Sequence, residues 1–201
     1  MNVSTDKQLV IENAIRDILD VLCAEEERPN IDGTPNRVAR AILELTEGYH
    51  QDPDKIINRA YYKTDHHDVV MVRNIQFASL CSHHMMPFIC AVNVAYLPNE
   101  WLIGLSKIPR IVKLFARRLQ IQEHLTYQIA HLLQEKLNPL GVAVMIEANH
   151  TCSQIRGVQD CSSKMLTKCF LGKYEEDVSL RQEFILDCYN KPGLSKVLKS
   201  I

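Results

Sequence analysis

Apolar residues at Ile11, Ile15, Ile18, Leu19 and Leu22 recur at the spacing of one helical face, which predicts an amphipathic helix over residues 6–24. A second helix is expected from Thr34-Pro35, with Thr34 as N-cap and Pro35 in the first turn. It runs through Val38, Ala41, Ile42 and Leu45, and Gly48 is expected to end it. Residues 49–68 are polar and contain Pro53, so they read as a short helix or linker. From residue 69 the texture changes. Val69–Phe77 and Phe88–Leu97 are rich in β-branched and aromatic residues and read as strands, the second closed by Pro98-Asn99. Gly141–His150 alternates Val142, Val144, Ile146, Ala148 and His150 on one face, the pattern of a half-buried strand.

Between the second and third strands lies a long helical stretch. It starts near Ser106-Lys107, breaks around Leu119–Ile121, resumes from Gln122 to Leu137 and stops at Asn138-Pro139. Residues 153–172 are expected to hold a further strand and 175–189 a last helix. The order β-β-α-α-β-β argues for an α+β fold with an antiparallel sheet. The chain divides into an N-terminal helical region over 1–65, a main domain over 66–190 and a tail over 191–201.

With 201 residues, 46% of them hydrophobic and 23% charged, the chain can fill one sizeable core and is not of disordered composition. A formal charge of −1 removes any bulk electrostatic case for a nucleic-acid or membrane partner. An anionic ligand must then be met by a local basic cluster. Charges scattered through MNVSTDKQLVIENAIRDILD argue against an ordinary secretory signal, and no apolar run reaches the ~18 residues of a membrane span. A reduced, cytoplasmic setting is expected. In that setting most of the seven cysteines (Cys23, Cys90, Cys161, Cys169 and Cys188) read as small core residues.

Cys81 and Cys152 stand apart because of their neighbours. In Cys81-Ser82-His83-His84 a thiol and an imidazole at i and i+3 can reach one metal from a turn, and this donor pair favours zinc. His150-Thr151-Cys152 follows the alternating strand. One thiolate from each segment plus one imidazole makes three ligands, which leaves a fourth position for water, as in catalytic zinc sites. The spare histidines suit proton transfer. In Ser106-Lys107-Ile108-Pro109-Arg110, Ser106 can cap a helix whose first turn carries Lys107 and Arg110 on one face, an arrangement that attracts anions. Arg156 and Arg37 are further basic candidates, although either alone is more often a surface residue. Gln122-Glu123 opens the next helix, and a carboxylate there can accept two hydrogen bonds from a guanine edge; taken alone, Glu123 is an ordinary first-turn acid.

Together CSHHMMPF, YLPNEWLIGLSKIPRIVKLFARRLQIQEHL, EANHTC and RGVQDCSSK resemble GTP cyclohydrolase I in order and spacing, from about Thr34 to Tyr189. The resemblance implies a tunnelling fold, with two helices on one face of an antiparallel sheet plus an N-terminal helical extension. It implies a zinc ion held by the positions matching Cys81, His84 and Cys152, and water attack at C8 of GTP. His150 would protonate the opening ring and His83 would assist near the ribose. Formate leaves and 7,8-dihydroneopterin triphosphate forms. Guanine falls to Gln122 and Glu123, and the triphosphate to Ser106, Lys107, Arg110 and Arg156, with Arg37 reaching in from a neighbouring subunit. The assembly implied is a decamer of two stacked pentamers. Two positions depart from the family pattern: Ser82 stands where Glu is usual and His124 where Arg is usual. They motivate an alternative, a weakened homologue that binds GTP or a pterin.

Overall fold

The structure is a computed structural model that describes residues 3–24 and 28–189. The expected tail over 191–201 lies outside the described residues. The chain begins with α1 (Val3–Leu22), α2 (Arg28–Ile31), α3 (Thr34–Leu45), α4 (Pro53–Ile57) and β1 (Tyr61–Lys63). It continues with β2 (Val70–Cys81), β3 (Pro87–Leu97), β4 (Trp101–Ile103), α5 (Lys107–Ala116), β5 (Leu119–Gln120) and α6 (Gln122–Leu137). The last elements are β6 (Gly141–His150), α7 (Thr151–Gln154), β7 (Met165–Gly172), α8 (Lys173–Glu176) and α9 (Val178–Tyr189).

The main sheet has the order β5-β2-β3-β6-β7. The β2–β3, β3–β6 and β6–β7 ladders are antiparallel, as the alternating patterns imply. The short β5 is the exception and pairs parallel with the end of β2, Cys81 opposite Gln120. It occupies the stretch read in the sequence as a plain break between two helices. α5 and α6 pack on one face, where Phe88, Val92, Val94 and Ile146 from the sheet meet Ile111, Leu114, Leu125, Ile129 and Leu133 in one core. This is the expected α+β arrangement of the tunnelling fold. The other face is covered in part: Ala143 and Met145 pack under Tyr174 and Phe184, so the first half of β6 is buried on both sides.

Several local expectations change. β2 runs four residues past Phe77, so Cys81 ends a strand and does not sit in a free loop. A bulge between Val72 and Ile75 allows this: Asn74 adopts φ 55 and its N–H donates to the buried Asn93 Oδ1 at 3.0 Å. Thr34 is the first residue of α3, with Gly33 at the N-cap, and the Thr34 hydroxyl accepts from Arg37 Nη2 at 3.2 Å. Ser106 does occupy the N-cap of α5, yet its side chain makes no capping bond. The expected boundary at residue 65 is bridged by an unforeseen two-stranded sheet, β1 with β4, and Ile57 belongs to the main core. Among the cysteines set aside as core residues, Cys90 is buried and its thiol is pushed up to about 11, chiefly by that burial. Cys161, by contrast, is exposed, and Cys23, Cys169 and Cys188 are half-buried.

Gly48 does not terminate a helix. It is buried in a 3-10 turn over Glu47–His50, where its N–H donates to Arg117 O at 2.9 Å and its carbonyl accepts from Arg118 Nε at 3.1 Å. A Cβ here would lie 2.1 Å from Leu114 O and 2.8 Å from Arg117 O, both backbone atoms that cannot swing aside. Gly48→Ala is therefore expected to destabilise the protein by about 1–3 kcal/mol, the usual cost of overpacking. Denaturant unfolding measures this, and an unchanged midpoint would mean that the turn simply moves away from α5.

Candidate active site

β2 and β6 both run antiparallel to β3, so their C-terminal ends flank its beginning. Ser79 on one side and His150 on the other both pair with Phe88. Cys81 and Cys152 each lie two residues beyond these partners, one on either side of the start of β3. After Cys81 the chain turns tightly: Cys81 N–H donates to Met86 O and Met85 N–H returns to Cys81 O, both at 2.8 Å, with Met85 at φ 54. Ser82 N–H donates to Gln120 O at 2.9 Å, which ties the loop to β5. Gln120 is itself held, because its amide donates to Phe115 O and Gln128 Oε1 at 2.9 Å each. On the other side the Thr151 hydroxyl donates to Pro87 O at 2.5 Å and pins the single-turn α7 to β3.

These anchors bring Cys81, His84 and Cys152 together, with one ligand atom from each lying within 4.8 Å of the others. Cys81 Sγ is 3.9 Å from His84 Nδ1 and 3.8 Å from His83 Nδ1. All seven cysteines are free thiols, so no disulfide competes for the sulfurs. Tetrahedral zinc, with bonds of about 2.0–2.3 Å, keeps its ligand atoms about 3.3–3.8 Å apart, so a movement of about 1 Å closes the three around one ion. Burial pushes the Cys152 thiol up, and the neighbouring Cys81 pushes it the same way, while Arg156 opposes both. A cation between the two sulfurs would offset the penalty that burial and the neighbouring Cys81 place on the Cys152 thiolate. The donor set of two sulfurs and an imidazole suits a borderline-soft divalent metal.

His150 is half-buried beside this cluster. Its ring stacks on Phe88 with centroids 4.7 Å apart and planes 14° from parallel. Its Nε2 lies 2.8 Å from Gln122 Oε1. Burial lowers the imidazole's pKa below its ordinary value and the Glu123 carboxylate opposes the shift. A cavity of about 380 Å³ opens beside the ring, with Ser153, Asp160, Ser163, Lys164 and Met165 among its walls.

The other expected site residues distribute unevenly. Glu123 is exposed in the first turn of α6, near His150. Gln122, expected to hold guanine, is 1% exposed, and its side chain is spent on protein partners. Its amide nitrogen faces Ile146 O, Met165 O and Thr167 Oγ1, and its oxygen faces His150 Nε2. Ser106, Lys107 and Arg110 open α5, where Lys107 Nζ donates to Ile56 O at 2.8 Å and braces α4. Arg37 lies on α3 beside a separate surface hollow with Arg40 and Glu44. None of these four lines the cavity beside His150. Phe88, Thr126, Thr167 and Gln120 were missed, since each shapes the site through contacts across the sheet. Only the placement of Phe88, at an inward position of an alternating strand, was open to inspection in the sequence.

Several proteins named GTP cyclohydrolase 1 are similar to this chain. The one from Bacteroides fragilis (strain YCH46) is 45% identical over 175 residues, 87% of this chain and 90% of its own length. The one from Campylobacter curvus (strain 525.92) is 44% identical over 173 residues, 86% of this chain and 91% of its own. The one from Porphyromonas gingivalis (strain W83) is 46% identical over 168 residues, 84% of this chain and 86% of its own. The sequence profile of the family described as GTP cyclohydrolase I matches residues 11–188. A match of that extent, with 44–46% identity spread across most of each chain, means that this protein belongs to the GTP cyclohydrolase I family.

Proposed function

We propose that this protein is a zinc-dependent GTP cyclohydrolase, which opens the imidazole ring of guanine, releases C8 as formate and forms 7,8-dihydroneopterin triphosphate. The observation that carries the reading is the convergence of Cys81, His84 and Cys152 beside a histidine stacked on Phe88. Zinc bound by these three residues would supply Lewis acidity, enough to make water a nucleophile near neutral pH.

The protein's own groups supply orientation and protons. His150, held between Phe88 and Gln122, is assigned the proton given to the opening ring. His83, with Nδ1 3.8 Å from Cys81 Sγ, is assigned the proton transfers near the ribose. Glu123 is the side chain free to accept both N–H groups of the guanine edge. Ser106, Lys107, Arg110 and Arg156, with Arg37, form the triphosphate set, in which charged side chains and the first turn of α5 attract anions. Ser82 does not loosen the metal loop, because the anchoring bond comes from its backbone N–H, whatever the side chain.

The protein works, on this reading, as a cytoplasmic homo-oligomer, a decamer with sites between subunits. Two features support it. Lys107, Arg110 and Arg37 do not line the His150 cavity within one chain. On α1, Val10, Val21 and Leu22 are 68%, 85% and 74% exposed, more apolar surface than a free helix tolerates well. Among the described residues no helix is long and apolar enough to cross a membrane.

Formate and pterin release from GTP, measured with the metal quantified, tests the whole proposal. Replacing Cys81, His84 or Cys152 by Ala is expected to remove both zinc and turnover; formate release at the wild-type rate from a zinc-free Cys152→Ala protein would overturn it. His150→Ala is expected to retain zinc and lose about 10²–10⁴-fold in kcat, the usual contribution of a general acid–base. Metal analysis and steady-state kinetics separate this from ligand loss. Lys107→Ala is expected to raise KM for GTP and to affect guanosine, which lacks phosphates, much less. Equal effects on the two substrates would point to the lost brace on Ile56 in place of a phosphate contact.

A further inference from the structure

We infer that Gln122 is a positioning residue for His150: it places the proton of the neutral imidazole on Nε2 and leaves Nδ1 as the nitrogen that exchanges protons with the reaction. This rests on the assignment of His150 as a proton-transferring group. The tautomer follows from counting protons. Thr126 has one hydroxyl proton and donates it to Gln122 O at 2.8 Å. The contact between Thr126 Oγ1 and Thr167 Oγ1, 2.7 Å, must then use the proton of Thr167. Thr167 Oγ1 can therefore only accept from Gln122, which it does from Nε2 at 3.1 Å. Gln122 Nε2 also faces Ile146 O at 3.0 Å and Met165 O at 3.1 Å, two carbonyls that can only accept. Three acceptors on one side fix which end of the amide is nitrogen. Turning it over would set its oxygen against three oxygens.

With the amide fixed, Oε1 faces His150 Nε2 at 2.8 Å, and an oxygen with no proton requires a donor there. Ring inversion offers no escape, because it would place a carbon against Oε1. The stack on Phe88, planes 14° apart, holds the ring face while Gln122 holds its edge. Gln122 is 1% exposed, Thr126 1%, so water does not offer substitute partners. A buried amide with every atom engaged is rigid, since breaking any bond would strand a polar group. Three elements contribute: α6 carries Gln122 and Thr126, β6 carries Ile146 and His150, and β7 carries Met165 and Thr167.

Neutron diffraction on the zinc-loaded wild-type protein reads the tautomer directly. Deuterium on His150 Nε2, pointing at Gln122, is expected; a bare Nε2 with deuterium on Nδ1 alone would overturn the inference. Kinetics gives a second readout through Gln122→Met, which keeps length and removes the amide, and Thr167→Val, which keeps shape and removes the hydroxyl that orients it. Both are expected to keep zinc and lower kcat for GTP, by about ten- to hundredfold for Gln122→Met, with KM little changed. A raised KM with wild-type kcat would instead mark Gln122 as a ground-state contact to the nucleobase and overturn the inference. Should Gln122→Met fail to fold, Thr167→Val and the diffraction result still decide. A slow His150→Ala protein beside wild-type kcat in both variants removes only the positioning role. Undiminished kcat in zinc-loaded His150→Ala removes the assignment beneath it.

Discussion

The shared antiparallel partner β3 organises the molecule. Two strands paired antiparallel to the same neighbour must point the same way, so β2 and β6 deliver their C-terminal ends to one edge of the sheet. Phe88, fully buried, is where these ends meet: it pairs with Ser79 on one side and His150 on the other, and its ring supports the imidazole. Cys81 closes β2 with His84 just beyond it, and Cys152 follows β6. A one-residue slip in either ladder would turn His150 or Cys81 to the opposite face and break up the cluster. The bulge at Asn74 is where β2 absorbs its irregularity, well away from the site end.

Polar groups buried near this edge keep it rigid. Ser79 donates to Ala116 O at 2.7 Å, Gln120 to Phe115 O, and Gln122 to three acceptors, so α5, β5 and α6 are bound to the strand ends through side chains as well as by packing. Such groups are costly to bury unless paired, and once paired they are costly to move. Chemistry that depends on ångström-scale placement of a histidine and two thiols gains from that stiffness. The loop of Ser82, His83 and His84 remains exposed, as a group that must meet a substrate has to be, yet it is tethered at both ends by backbone bonds.

The basic residues of α3 and α5 behave differently. Lys107 braces α4 and Arg37 turns back to Thr34, so in one chain they hold local structure and stay apart from the cavity beside His150. The metal-ligating candidates thus gather at the strand ends, whereas the basic residues proposed for the triphosphate are dispersed over α3 and α5. The proposed assembly, with a site completed by a neighbouring copy, would reconcile the two, and α1 leaves Val10, Val21 and Leu22 exposed.

The sequence by itself determined the elements whose period repeats strongly: α1, α3, α5, α6 and β6 were legible because apolar spacing along the chain reports which side faces a core. It also marked Cys81, His84 and Cys152, since few side chains bind soft metals and their spacing is a local property. It did not reveal β1, β4 or β5, which are too short to show a period and exist because a distant strand offers free backbone groups. It misread Gly48, whose need for a missing side chain comes from carbonyls of α5 nearly seventy residues away, and Cys161, which tertiary packing leaves in the open. The partners of Gln122 were the least legible of all. An amide at the start of a helix is equally apt for ligand or protein, and only the joint arrival of Ile146, Met165, Thr167 and His150 commits it, because hydrogen bonds between strands and helices depend on positions in space that no linear spacing encodes.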